Sequence, residues 1–370
     1  MANDIAVMFA DGHLQDRAWA NRPIEGDSYC SFKQIIDYAV KNRLPVIGAG
    51  DLIDKQRNTS GPIVFLHKQL DRLALKNLPF FYTQGQHEMD EDPWLSGHRT
   101  AVHLHRRKEF LHGVTLYGID YMPAEHLPTE LGLIPEDVDL LICHQVWADW
   151  MGDIASPQGC FGDIPVVNNA FSGDYHIDTV EKTRGKDGQQ IEVLSPGSIA
   201  MQSIDEDENK YFFVLMDDLT FRRVKLMTRR KVEWTVINRQ DEVEQFVETI
   251  DPVLAEVESQ AEKYPKGIRK PLLRVQYSSR LEGALRRIMK AVDGRAFVFP
   301  KETPPQKAEV EERRARKQRD GDKHATTLES LLPGYLESEG HKALQDDCQR
   351  LLQAGDVSGE LQRMKKEALT

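Results

Sequence analysis

Five short stretches of this chain carry residues able to hold metal ions. They are Asp11-Gly12-His13, Gly50-Asp51, Gly85-Gln86-His87-Glu88, the lone His144, and Gly173-Asp174-Tyr175-His176. Aspartate oxygens and histidine nitrogens are ordinary donors to divalent ions. A shared carboxylate can bridge two ions about 3.5–4 Å apart, the spacing used by two-metal hydrolases. Singly, each stretch is weak. A D-x-H triplet arises often by chance, and a histidine after a strand is most often structural or on the surface. Five such stretches in order, each at the end of an apolar run, point to a metal-dependent hydrolase.

The apolar runs explain how residues so far apart in sequence could meet. Residues 5–10, 45–48, 79–83, 114–119, 138–143, 170–172, 191–194, 211–216 and 221–226 are short and mostly rich in Val, Ile, Phe or Tyr, and read as strands. Between the early ones lie two amphipathic helices. Residues 31–41 align Phe32, Ile35, Ile36 and Ala39, and residues 64–76 align Leu66, Leu70, Leu73 and Leu75. Early strand–helix alternation followed by mostly strands predicts an α/β layered sandwich. Parallel strands bring their C-terminal ends to one sheet edge, and the ligand-type residues sit at those ends.

The pattern changes after residue 228. Residues 229–302 hold a helix (241–264), a strand (272–277), a basic helix (281–292) and a further strand (296–299), a small α+β unit. Residues 303–325 read as a densely charged linker. Residues 326–370 regain apolar spacing as short amphipathic helices, broken near Pro333-Gly334 and Gly355.

With 40% hydrophobic residues in 370, the chain can bury a substantial core and is not a disordered polymer. Its net charge of −11 excludes a generally basic coat but not a local basic face, and it suits carboxylates gathered around cations. The four cysteines, Cys30, Cys143, Cys160 and Cys348, form no C-x-x-C pair, so a reducing, cytoplasmic setting is expected. The first residues lack the pattern of a secretory signal, and no run is long enough to span a bilayer.

The order D-x-H, G-D, G-N-H-[DE], H, G-H-x-H is that of the calcineurin-like metallophosphoesterases, which the chain resembles over roughly residues 1–228. The layout beyond resembles the SbcD-type DNA double-strand-break repair nuclease subunits. The resemblance implies a four-layer αββα sandwich, a small α+β capping domain that contacts DNA, and a helical C-terminal tail that grips the coiled coil of an SbcC-type ATPase. It also implies a homodimer formed through the early helices, to which Phe32, Ile35, Ile36, Leu66 and Leu70 could contribute, although core packing is the commoner fate of such residues.

Carried over by residue, the resemblance gives Asp11, His13 and His176 to a first ion and Asp51 to both. It gives Gln86, His144 and Asp174 to a second. His87 would face the scissile phosphate as general acid or transition-state stabiliser, with Glu88 orienting it. Two positions depart from the pattern. Gln86 stands for the family asparagine, and Asp174 for the first histidine of G-H-x-H. Both fall on the second ion and both still offer oxygen. A carboxylate in place of an imidazole favours harder ions, Mn(II) or else Mg(II), over zinc. The alternative is a weakened second site. Lys55-Gln56 replaces the Arg-Gly pair of the related protein phosphatases, against that activity. Asp54 stands where some SbcD-type relatives have a catalytic histidine, or else caps the next segment, and is not counted as catalytic.

Arg269, Lys270, Arg280, Arg286, Arg287 and Lys290, with Lys266 and Arg274 nearby, could neutralise duplex phosphates without reading sequence. Alternatively they are ordinary solvated charges, with Leu285, Ile288 and Met289 turned to a core. His103, His105, Arg106 and Arg107 form a second, weaker cluster. Leu328, Leu331, Leu332, Tyr335 and Leu336 mark an apolar stripe that needs a surface, either this chain's own or a partner's helices. The reading is a metal-dependent DNA exonuclease and endonuclease working with an SbcC-type ATPase. Its rivals are a small-molecule phosphodiesterase or phosphatase, and a catalytically weakened DNA-binding scaffold.

Overall fold

The first strand, β1 (Asp4–Ala10), shows how the layers are built. Successive side chains of a strand point to opposite faces. Val7 and Phe9 therefore pack with helices, while Ala6, Met8 and Ala10 pack against a second sheet. In the computed structural model the described residues are 2–15, 26–54, 60–89, 95–151, 156–278, 281 and 283–303.

After β1 come α1 (Asp27–Asn42), β2 (Val46–Ala49), α2 (Ser60–Ala74), β3 (Phe80–Thr83) and β4 (Ala101–His103). Next are β5 (Lys108–Leu111), β6 (Val114–Ile119), α3 (Leu127–Leu131), β7 (Leu140–His144), α4 (Ala148–Met151) and β8 (Asn169–Gly173). Then follow β9 (Asp178–Arg184), β10 (Gln190–Pro196), β11 (Tyr211–Met216) and β12 (Phe221–Lys225). The last are β13 (Lys231–Ile237), α5 (Gln240–Ser259), β14 (Leu272–Ser278), α6 (Ala284–Val292) and β15 (Phe297–Thr303).

The first sheet runs β12-β11-β1-β2-β3-β4 and the second β5-β6-β7-β8-β10-β9. Their facing sides interlock through Met8, Ile47 and Phe81 on one sheet and Leu116, Leu140, Ile142, Phe171 and Leu194 on the other. Helices α1 and α2 cover the outer face of the first sheet. There Phe32, Ile35, Ile36, Leu66 and Leu70 are completely buried against Val7, Phe9, Val46 and Phe80. Those five side chains are thus used up by this chain's own core. Leu75, aligned with them on the sequence, lies past the end of α2 and is 75% exposed. Leu127, Leu131, Trp147 and Phe161 cover the outer face of the second sheet, packing on Leu141, Cys143, Ala170 and Val193. The result is the expected four-layer αββα sandwich.

The inner strands β1-β2-β3 and β6-β7-β8 are parallel within their sheets. Six ends of strands that carry, or lead into, ligand-type residues or their supports therefore collect on one side. A third sheet, β13-β14-β15, is all parallel and has its own core with α5 and α6, built from Phe246, Ile250, Leu254, Leu273, Val275 and Ile288. It is joined to the sandwich by Arg229, whose guanidinium is buried against the Asp27 carboxylate at the start of α1. Arg229 also donates to the carbonyls of Lys270 and Gly267 and lies over the Phe297 ring.

The basic helix expected from residue 281 starts at Ala284, after Gly283 in the left-handed conformation. The helix expected to reach residue 264 ends at Ser259. The charged linker, the tail with Leu328, Leu331, Leu332, Tyr335 and Leu336, and Cys348 lie outside the described residues, as does Arg280. No helix of the described residues is long and apolar enough to cross a membrane.

Candidate metal centre

The C-terminal ends of β1, β2, β7 and β8, with the loop after β3, bring the five ligand-type stretches together. Four of the residues involved turn the chain through left-handed backbone: Asp11 (φ 49°), His13 (φ 38°), Asp51 (φ 48°) and Asp174 (φ 77°). Non-glycine residues rarely take that conformation, and it costs on the order of 1–3 kcal/mol each unless the surroundings impose it. Here each strand end must bend sharply to aim its side chain into the shared space. Gly85 meets a different demand: a Cβ there would overlap the Asp51 carboxylate.

Asp11 and Asp51 lie at the centre and are fully buried. Asp11 Oδ1 is 3.9 Å from His13 Nε2, 3.8 Å from His176 Nε2 and 4.0 Å from His144 Nε2. Asp51 Oδ2 is 3.8 Å from His13 Nε2, 3.7 Å from His87 Nε2 and 3.4 Å from His144 Nε2. Both aspartates therefore stand between the His13–His176 side and the His144 side, where the sequence reading gave that place to Asp51 alone. Three sets of side chains come close enough to share an ion: Asp11, His13 and His176; Asp11, Asp51 and His144; and His13, Asp54 and His87.

Gln86 and Asp174 complete the His144 side. The Gln86 amide nitrogen donates to Asp174 Oδ1 at 2.7 Å, leaving its own oxygen buried without a hydrogen-bond partner. Asp174 Oδ1 is 3.9 Å from His144 Nε2, and the Asp174 backbone N–H donates to Asp11. His144 Nδ1 donates to the carbonyl of Ala49 at 2.8 Å, which turns Nε2 inward. That Nε2, Asp51 Oδ2 and Gln86 Oε1 are all buried and unpartnered. Burying such atoms unpaired is costly, and a cation among them satisfies all three. The donor set, oxygen with imidazole, fits a divalent ion.

The electrostatics agree. Burial pushes the Asp11 carboxyl above its ordinary value, more than the surrounding imidazoles lower it. Burial also opposes ionisation of Asp51, but His144, His13 and His87 outweigh it and hold that carboxyl low. Burial alone would lower His144, yet Asp51, Asp11 and Asp174 raise it well above its ordinary value. The carboxylates thus draw positive charge to this space.

His87 and Glu88 are held by different parts of the chain. The His87 Nδ1 edge is held by the Asp54 backbone carbonyl, and Nε2 faces Asp51 with a third of the side chain exposed. Glu88 does not orient it. Its buried carboxyl accepts from the Ile53 N–H at 3.0 Å, bracing the loop that carries Asp51. Burial, then the charge of Asp51, push Glu88 up to about 8. His103, His105, Arg106 and Arg107 all have partners within the chain, the two arginines at the surface. His103 binds Asp120 at 2.8 Å, His105 Nδ1 accepts from the Asp120 N–H, and Arg106 and Arg107 pair with Glu130 and Glu109. Each member of this cluster thus shares its polar edge or charge with a neighbour.

Sequence reasoning missed Glu206. Its Oε1 is 3.5 Å from His176 Nδ1, on the side of the ring away from Asp11, and Oε2 accepts from buried Lys210 at 2.7 Å. Burial opposes its charge, but His176 and Lys210 prevail and hold it near 2. The residue sits in an acidic loop, Asp205-Glu206-Asp207-Glu208, that resembles any solvated turn.

A sandwich of two sheets with these side chains at their shared edge is the arrangement that the resemblance to calcineurin-like metallophosphoesterases implies. The chain's sequence relatives narrow the class. It is 28% identical over 235 residues to DNA double-strand break repair protein Mre11 of Methanosarcina acetivorans, covering 58% of this chain and 37% of that protein. The Mre11 of Methanosarcina mazei is 28% identical over 282 residues, covering 70% and 44%. That of Saccharolobus solfataricus is 30% identical over 124 residues, covering 31% and 32%. The chain therefore spans less than half the length of the curated relatives it matches. No family model matches the chain.

Proposed function

We propose that this chain is a two-metal phosphodiesterase that cuts DNA in recombination and break repair, working as a homodimer with an SbcC-type ATPase. The observation that carries the reading is the trio of buried, unpartnered atoms, Asp51 Oδ2, His144 Nε2 and Gln86 Oε1, with the half-open His87 beside them. Asp11, His13, Asp51 and His176 would hold one ion, and Asp51, Gln86, His144 and Asp174 the other, Mn(II) before Mg(II). Such ions lower the pKa of a water and neutralise charge developing on the phosphoryl oxygens.

The chain supplies the rest. With Nδ1–H committed to the Asp54 carbonyl, Nε2 is the ring atom of His87 left to exchange a proton. Protonated, it can donate to a phosphate oxygen or to the departing one. The Ala49 carbonyl fixes the tautomer of His144, and Glu88 holds the Asp51 loop in place. On the third sheet's helices, Arg286 and Lys290 are exposed and make no ion pair among the described residues. Arg269 is shared with Glu262, Arg287 with Glu244, and Lys270 lies over Phe297. Arg286 and Lys290 are therefore the first choice for phosphate contact. Since α1 and α2 bury their apolar faces inside the chain, a homodimer would use their other faces. The tail from residue 326 would reach the ATPase.

The test is cleavage of labelled linear duplex DNA with manganese, with and without the ATPase, comparing wild type and His87→Ala. The expected result is manganese-dependent cleavage that falls about 10²–10⁴-fold in the variant while DNA binding persists. Binding without cleavage in the wild type would replace the reading with a scaffold. Turnover of a small chromogenic diester, with neither DNA cleavage nor DNA binding, would replace it with a small-molecule phosphodiesterase.

A further inference from the structure

Glu206 is the point at which the metal centre and the third sheet meet. Its side chain faces His176: Oε1 lies 3.5 Å from Nδ1, while the ring's Nε2 is turned inward, 3.8 Å from Asp11 and 3.1 Å from His13 Nε2. The carboxylate is itself fixed, since Oε2 accepts from Lys210 Nζ at 2.7 Å and from Ser198 Oγ at 3.1 Å. Lys210 is buried, and its ammonium also donates to Ser198 at 2.9 Å. The backbone of the same residue is held from the other side. Lys231, the first residue of β13, donates from Nζ to the Glu206 carbonyl at 2.7 Å and to the Ile204 carbonyl at 3.3 Å. On either side of Glu206, Asp205 pairs with Arg274 of β14, and Glu208 accepts from the Lys231 N–H.

We propose that Glu206 is a positioning residue for His176, and that Lys231 of the third sheet holds it in place. A histidine that binds a metal through one nitrogen commonly gives its other N–H to a carboxylate, which fixes the ring and raises its basicity. The inner nitrogen of His176 faces Asp11 and His13, and the outer one faces a carboxylate that two further groups immobilise. Nothing in catalysis at His87 requires Glu206, so its contribution is confined to the His13–His176 side. Because its main chain is gripped by β13, the seating of the third sheet sets where that carboxylate stands. A duplex that shifts this sheet would thereby act on one ion and not on the other. The proposal rests on the two-metal reading but not on DNA as the substrate.

The experiment is manganese binding by the full chain, without DNA, followed by calorimetry and by the electron-spin signal of free manganese. Four proteins are compared: wild type, Glu206→Gln, Glu206→Gln with Lys210→Met, and Lys231→Met. The double variant removes the carboxylate without leaving Lys210 buried and unpaired. Both Glu206 variants are expected to weaken one of two manganese sites about 10–100-fold and to spare the other. Lys231→Met should weaken the same site several-fold. Unchanged binding in the double variant would overturn the role of Glu206, and unchanged binding in Lys231→Met would overturn the link to the third sheet. Equal loss at both sites, together with a lower melting temperature of the metal-free protein, would make Glu206 a structural residue only. A wild type that takes up no manganese would overturn the inference and the metal reading together. A wild type that binds two ions yet leaves DNA intact would sink the nuclease reading and leave this inference standing.

Discussion

Replacing Arg229 with Met should destabilise the protein in a way that depends on pH. Arg229 and Asp27 are 2% and 5% exposed at their side chains, and their ion pair joins the sandwich to the third sheet. Methionine keeps most of the volume but leaves the Asp27 carboxyl buried without its cation. Already in the wild type, burial raises this carboxyl above its ordinary value, and the Arg229 hydrogen bond and charge offset that only in part. Without Arg229 the cheapest course is for Asp27 to take up a proton on folding. An ordinary carboxyl, with a pKa of about 3.9, costs about 4 kcal/mol to protonate at pH 7 and about 1.5 kcal/mol at pH 5. A folded pKa above the unfolded one means the penalty is small near pH 4 and grows with pH until the folded pKa is reached. The lost bonds to the Lys270 and Gly267 carbonyls add about 2 kcal/mol at every pH. Urea unfolding followed by tryptophan fluorescence should therefore show a loss of about 6 kcal/mol at pH 7 and about 3.5 kcal/mol at pH 5. The double variant Asp27→Asn, Arg229→Met should lose the pH dependence. Losses for Arg229→Met that agree within about 0.5 kcal/mol at the two pH values would refute the argument.

Two further outcomes follow from the site and the basic helix. Asp174→His restores an imidazole beside His144 and should raise affinity for zinc relative to manganese by at least about tenfold, read by competitive titration. An unchanged ratio would remove Asp174 from the ligand set. Replacing both Arg286 and Lys290 with Ala should weaken duplex binding equally for unrelated sequences. It should also lower the slope of log affinity against log salt by about 2. An unaltered slope would place the phosphate contacts elsewhere.

The sandwich was legible because its core strands carry continuous apolar runs and its two long helices keep a strict apolar stripe. Strands β4, β5, β9 and β13 were not. Lys108–Leu111 and Asp178–Arg184 are edge strands, mostly polar, and β4 has three residues. An edge strand is selected by the neighbour it pairs with, and its own side chains need not be apolar. Leu285 and Met289 mislead in the opposite sense. They fit a core stripe with Ile288, but only Ile288 is buried, because α6 packs through Ala284, Ile288 and Val292.

At the candidate metal centre the residue types were enough to collect the candidate ligands but not to assign their supports. Asp11, His13, Asp51, His144 and His176 follow strands, and parallel pairing alone brings strand ends together. The groups that orient them obey no such rule. His87 is held by a main-chain carbonyl, that of Asp54, which any residue would supply. His144 is likewise held by the Ala49 carbonyl. Glu88 adjoins His87 in sequence, yet its carboxyl turns to the Ile53 N–H, under the Asp51 turn. Glu206 lies 30 residues beyond His176, in a loop whose charge pattern is that of a solvated turn. The buried Lys210 and Ser198 hold its carboxylate in place, and Lys231 grips its main-chain carbonyl. Ligand identity is a local property of the chain, whereas ligand orientation is decided by whatever the fold brings to the far side of each ring. That difference is why substitutions at Glu206 and Lys231 test the assembled site more sharply than substitutions at the ligands themselves.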